Sequence, residues 1–225
     1  MAALVDEWYE ERKGQPPYSL GAVCVAPSPY LVSDIYAVRC DHYDPADPGS
    51  AYYSVTPIST RVLGKTPTAF HQHPHHALGL HKDEELMVAK AKLRPVVILS
   101  AEMDLRQAGL GSLLRKRIEE CFVCAPIYSI YGPRGESKLA ADFVDRMRRL
   151  EWPYFFPLPE SKEFGRKESF LRFDRLSVIS KGNLDGTRTW VSEDGMLFVL
   201  SWLWYYLTGE MDEMARGLRE ELRSV

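Results

Sequence analysis

The sequence predicts a mainly β chain with helices, an α+β fold centred on a small β-barrel. Three observations carry this. Short apolar runs rich in β-formers outnumber helical stretches. The two kinds do not alternate regularly, which argues against a doubly wound parallel sheet. A hydrophobic content of 45% over 225 residues suffices for one substantial core, and so for a single domain with an elaboration.

Asp6 to Lys13 is charged and reads as a short helix or a loose start, ended by Pro16 and Pro17. Residues 20–26 (LGAVCVA) alternate and form the first predicted strand. Residues 30–40 read as another strand or strand pair. Asp-Pro breaks make 41–50 a loop, 51–57 a strand follows, and 59–81 is mostly irregular. Residues 85–91 lead into Arg94–Ser100, a continuous β-branched run suited to a strand buried on both faces.

Residues 105–120 are polar and helix-permissive, weakened by Gly109 and Gly111, and 121–127 form a second buried strand. Over 137–150, Leu139, Phe143, Met147 and Leu150 recur at helical spacing. Arg146, Arg148 and Arg149 crowd that helix's C-terminal end, where the dipole favours cations. Residues 153–159 are a Pro-bounded aromatic strand, and 168–173 alternate, followed by 174–181. Ser192 or Asp194 can cap a helix to about Leu207, stopped by Gly209, and 210–225 are a charged helix or tail.

Charge and cysteine usage narrow the function classes. A formal net charge of -3 excludes a chain coated all round for nucleic acid but permits a local basic groove. Cys24, Cys121 and Cys124 fall in apolar runs and read as buried reduced thiols rather than disulfides or metal ligands. No basic stretch with a long apolar one behind it opens the chain. The longest apolar run, Met196 to Leu207, is interrupted by Ser201 and is shorter than the roughly 18–20 residues a bilayer needs. The expectation is a cytoplasmic protein without a membrane span.

Three segments, in order, resemble the MazF/PemK family of toxin endoribonucleases. Lys92-Leu93-Arg94-Pro95-Val96-Val97-Ile98-Leu99-Ser100 is similar to that family's basic-Arg-Pro-apolar strand. Cys121-Phe122-Val123-Cys124-Ala125-Pro126-Ile127-Tyr128-Ser129 is similar to its apolar strand ending in Pro-Leu-Thr-Ser. Residues 169–181, Ser-Phe-Leu-Arg-Phe-Asp-Arg-Leu-Ser-Val-Ile-Ser-Lys, resemble the strand and turn leading to its C-terminal helix. The resemblance covers roughly 84–208 plus the opening strand. It implies an SH3-like barrel in which 27–83 are an insertion between the first and second barrel strands.

It further implies metal-independent cleavage of single-stranded RNA through the ribose 2'-hydroxyl, without a cofactor, by a homodimer restrained by an antitoxin or regulatory protein. Such chemistry needs a base near the hydroxyl and positive charge on the phosphate oxygens. Arg94 matches the family's catalytic Arg, and its planar fork suits phosphate. Tyr128 stands where the family has Thr, so Tyr128 or Ser129 is expected to supply the hydroxyl. Lys92, Arg61, Lys65 and Arg134 are candidate backbone contacts. The alternative is a catalytically degenerate member of the fold whose groove binds a protein segment.

Other constellations are weaker. His71, His73, His75, His76 and His81 crowd together, but around Pro74 in the least regular stretch, which favours a solvated loop over a metal site. Cys121 and Cys124 are three apart on a strand, so they point to opposite faces and cannot easily share a metal. Phe198, Trp202 and Tyr206 form one helical face while Leu197, Trp204 and Tyr205 cover others, which implies deep burial or an interface.

Overall fold

The computed structural model describes residues 7–14, 17–29, 35–44, 46–57, 87–100 and 121–224. The expected helix at 105–120 and the stretch 59–81, with Arg61, Lys65 and the histidine cluster, lie outside these residues. The described chain is mainly β with three helices, and divides into two compact units, 1–27 with 93–225, and 28–92.

The larger unit is built on one antiparallel sheet. Its strands are β1 (Tyr9–Glu10), β2 (Ala22–Pro29), β6 (Ala91–Ile98), β7 (Cys121–Ser129), β8 (Phe155–Leu158), β9 (Ser169–Arg172), β10 (Ser177–Ser180) and β11 (Asp185–Val191). Their order is β1-β11-β2-β6-β7-β9-β8, with β10 joining β7. One edge of β7 is shared between two strands. Its first half pairs β10, from Cys121↔Ser180 to Cys124↔Ser177, and its second half pairs β9, from Ile127↔Leu171 to Ser129↔Ser169. The 3-10 turn Phe173–Arg175 turns the chain between them, and the sheet curls into a half-barrel.

Alternation along the strands sorts side chains into layers. Val23, Val97, Leu99, Ala125, Ile127, Phe156 and Leu171 face a core shared with two helices, α2 (Glu193–Thr208) and α3 (Glu213–Ser224). The opposite set, Ala22, Cys24, Val96, Ile98, Phe122 and Cys124, fills the curl with Ile179, Leu184 and Trp190. A third cluster lies beneath α1 (Ala141–Arg148), where Val144 and Met147 cover Phe155, Phe170 and Ile130.

Helix α2 has the ends the sequence predicts. The Ser192 side chain accepts a hydrogen bond from the Gly195 N–H at 3.2 Å, and Gly209 closes the helix in the left-handed region at φ 77°. Trp202 is fully buried, and its indole N–H donates to the Phe155 carbonyl at 3.0 Å, fixing α2 to β8. Phe198 and Tyr206 are partly buried beside it, whereas Leu197, Trp204 and Leu207 are 49%, 53% and 63% exposed. Within the expected helix or tail at 210–225, α3 spans Glu213–Ser224. Asp212 caps it by accepting from the Ala215 N–H at 2.7 Å, and accepts from the Ser201 hydroxyl of α2 as well.

Several elements differ from expectation. Tyr9–Glu10 is a strand on β11 rather than part of a short helix or a loose start, because pairing with Val191 and Trp190 satisfies its backbone. β11 itself was not expected from sequence. α1 stops at Arg148, short of 150. Leu150 adopts φ 52°, and the N–H groups of Leu150 and Glu151 donate to Met147 and Arg146 carbonyls at 2.9 and 3.1 Å, closing the last turn.

The second unit holds a sheet of order β4-β3-β5, from β3 (Ile35–Asp44), β4 (Asp47–Pro57) and β5 (Met87–Ala89). Residues 41–50 are therefore mostly hairpin rather than loop. Register shifts between Cys40 and His42, and between His42 and Asp44, disturb the ladder on the way to the turn. Pro48 sits on β4, an edge strand, where its missing N–H is tolerated.

Candidate functional site

β6 and β7 are antiparallel neighbours with Val96 opposite Pro126. Continuing that register two residues places Arg94 across from Tyr128, on the face of the sheet that fills the curl. The Arg94 guanidinium carbon lies 4.1 Å from the centre of the Tyr128 ring, a close cation–π contact. Tyr128 is opposite Phe170 on β9 and stacks on it at 5.8 Å with 27° between planes.

Two residues beyond Phe170, on the same face, Arg172 brings a second guanidinium to within 5.2 Å of the Tyr128 ring. Asp174, in the 3-10 turn after β9, receives both arms of Arg172: Nε donates to Oδ1 at 2.9 Å, and Nη2 contacts Oδ2. Arg175 reaches the same carboxylate at 3.9 Å. The hydrogen bond that Arg172 donates to Asp174 raises the Arg172 pKa further above physiological pH, against a smaller opposing effect of burial. The row therefore holds two fixed positive charges, an aromatic ring with a hydroxyl, and an exposed carboxylate.

The other predicted residues are placed differently. Ser129 alternates to the opposite face of β7 from Tyr128, and its hydroxyl donates to the Tyr131 carbonyl at 2.8 Å. Lys92 is exposed on β6, in the segment that belongs to the second unit. Arg134 is exposed in the turn closed by the Tyr131–Ser137 bridge, off the strands that carry the row, and its backbone N–H donates to Glu136 Oε2 at 3.1 Å.

Arg172 and Asp174 were not singled out from sequence. The signal was present: in Ser169-Phe170-Leu171-Arg172, alternation puts Arg172 on the face of Phe170, which is the face of Tyr128.

A second ionic group supports the site from beside it. Arg148 of α1 grips Glu168 with two hydrogen bonds of 2.7 Å, and the Tyr131 hydroxyl donates to the same carboxylate at 3.3 Å. The Arg148 hydrogen bonds lower the Glu168 pKa, outweighing burial. This fixes α1 to the start of β9, one residue before Ser169.

Cys24 and Cys124 offer no nucleophile. Burial raises the Cys24 thiol to about 11 and Cys124 to about 12, so both stay protonated at neutral pH. Cys121 is exposed rather than buried as expected, because it lies on the face of β7 opposite to buried Cys124. Among the described residues, no group of three His, Cys, Asp or Glu side chains is arranged to hold a metal, and no helix is long and apolar enough to cross a membrane.

Neither comparison with known proteins assigns the chain: no protein-family model matches it, and no curated protein matches it.

Proposed function

We propose that Arg94, Tyr128, Arg172 and Asp174 form a phosphate site for single-stranded RNA and that the chain is a metal-independent endoribonuclease of the MazF/PemK type. The observation that carries this is the convergence of two guanidiniums on one tyrosine ring, with a carboxylate bound to one of them. As the ribose 2'-oxygen attacks phosphorus, negative charge grows on the non-bridging oxygens, and fixed cations stabilise it without rearranging. Asp174, which accepts from Arg172, is the carboxylate available to take the 2'-hydroxyl proton. The 5'-oxygen leaves as its bond to phosphorus breaks and takes a proton from water, giving a 2',3'-cyclic phosphate and a free 5'-hydroxyl, while Asp174 releases the proton it took back to solvent. Tyr128 can stack a base and donate one hydrogen bond.

The test is incubation of the purified chain with single-stranded RNA in the presence of a chelator. Cleavage should fall about 100-fold or more in Arg94→Ala and in Arg172→Ala, the scale of losing one transition-state donor. Equal cleavage by wild type and Arg94→Ala would sink the proposal.

A second reading has its own support. The Tyr128 ring already carries two guanidiniums, and the Ser129 hydroxyl is donated to the backbone. Both suit a catalytically degenerate fold member that binds a protein segment in the groove. Overproduction in bacteria separates the two. Growth arrest relieved by Arg94→Ala favours the enzyme and an antitoxin partner, and harmless overproduction favours the binding module. The outward stripe Leu197, Trp204 and Leu207 supports the homodimer reading. Sedimentation of Trp204→Glu against wild type tests it, and identical monomers would dismiss it.

A further inference from the structure

The aromatic row continues past Tyr128. Phe155 is opposite Arg172 across β8 and β9, and the Arg172 guanidinium lies 5.6 Å from its ring. Phe155 meets the Trp152 ring nearly edge-on at 5.9 Å, and Arg146, on the last turn of α1, lies over Trp152 at 4.4 Å. A chain of cation–aromatic and aromatic–aromatic contacts thus runs from Arg94 through Tyr128, Arg172, buried Phe155 and Trp152 to Arg146, across β6, β7, β9, β8 and the end of α1.

The far end of this row carries further charge. Glu151 forms a pair with Arg146 at 2.6 Å, and Arg223 and Arg149 act on the same carboxylate. The Arg146 hydrogen bond and these cations lower its pKa. One carboxylate is therefore paired with Arg146 and lies in the field of Arg149 and Arg223. The Glu151–Arg146 pair is exposed, with half of the Arg146 side chain in water, so an incoming phosphate can compete for the guanidinium. The backbone here is not loose. Leu150 is buried at positive φ, and the N–H groups of Leu150 and Glu151 are bonded back to the helix, which sets the direction in which Glu151 and Trp152 leave it.

Interleaved arginines and aromatics are what a single nucleic-acid strand needs: charge for its phosphates and π-faces for its bases. We propose that Trp152 and Arg146, with Arg149, form a second contact for the same RNA strand whose phosphate sits at Arg94, so that the chain reads a strand longer than the cleavage site alone. The inference rests on the RNA reading of that site.

The experiment uses the full chain and fluorescent 2'-O-methyl oligouridines of 4 and 12 nucleotides, which cannot be cut, with affinity read by anisotropy over a range of salt. Arg146→Gln combined with Arg149→Gln should weaken the 12-mer about 10-fold and leave the 4-mer unchanged. Its salt slope should fall by about 0.7 for each phosphate that is no longer neutralised. Glu151→Gln removes the competing carboxylate and should tighten the 12-mer, a direction that damage to the fold would not produce. Arg94→Ala should weaken both lengths. If only Arg94→Ala matters, the second contact is wrong and the site stands. Equal losses at both lengths in the arginine variant also overturn it. If the wild-type chain binds neither length, both readings fall.

Discussion

At the scale of single residues, Arg172 and Asp174 divide two tasks that one measurement would confuse. Asp174 neutralises a guanidinium in the resting chain, so Asp174→Asn frees Arg172 for phosphate while removing the proposed base. RNA affinity should hold or rise as cleavage falls by about two orders of magnitude. Single-turnover rates set beside equilibrium binding check this, and parallel losses in both would refute the assignment. Arg94→Lys keeps the charge but replaces a planar fork that lies over Tyr128 with a point charge. Activity should drop about 10-fold or more, with the stability midpoint little changed.

The thiols give a chemical check on the strand geometry. At pH 8, native-state alkylation followed by peptide mapping should modify Cys121 and spare Cys24 and Cys124, which are buried and hold their protons. Labelling of Cys124 at the rate of Cys121 would mean that β7 does not present opposite faces as described.

Among the elements, α1 is tied to the start of β9 by the Arg148–Glu168 ion pair. The folded-state pKa of Glu168 lies below its unfolded value, so its contribution is present above the ordinary carboxylate range, near pH 4.3, and fades as pH falls through the lower folded value. Glu168→Gln should therefore lower the melting temperature at pH 7, and the gap to wild type should close under acid. Melting curves from pH 3 to 7 decide it. At the start of α2, Ser192→Ala removes the acceptor for the Gly195 N–H and should cost about 1 kcal/mol in denaturant titration.

These elements also mark how far sequence alone could be read. β6 and β7 were visible because Val96 to Leu99 and Cys121 to Ile127 are apolar runs that need no partner to be recognised. The ends of α2 were visible because Ser192 and Gly209 are local signals. β11 was hidden: Asp185-Gly186 has the chemistry of a turn, and only its last three residues, Thr189, Trp190 and Val191, are buried. β1 has two residues and exists only through Val191 and Trp190, far away in sequence. Half of the candidate site was legible for the same reason. Arg94 and Tyr128 sit in recognisable runs, while Arg172 and Asp174 acquire meaning only once β9 is known to lie beside β7.

For the molecule as a whole, Trp202 is the largest fully buried side chain and the one that ties the helical layer to the sheet. Trp202→Ala should cost about 3–5 kcal/mol, and Trp202→Phe less, leaving the Phe155 carbonyl without its donor. Loss of a single cooperative transition in Trp202→Ala, followed by tyrosine and tryptophan signals, would show that the curled sheet persists without its helices.

The sheet order has a consequence for synthesis. β2 is made early but lies between β6 and β11, and β11 ends at Val191. A ribosome adding about 5–20 residues per second therefore leaves one side of β2 without its neighbour for roughly 10–30 seconds. During that wait its backbone donors and acceptors offer a template to any other nascent strand. A transcript truncated before codon 185 would yield a polypeptide prone to clump rather than a smaller working version.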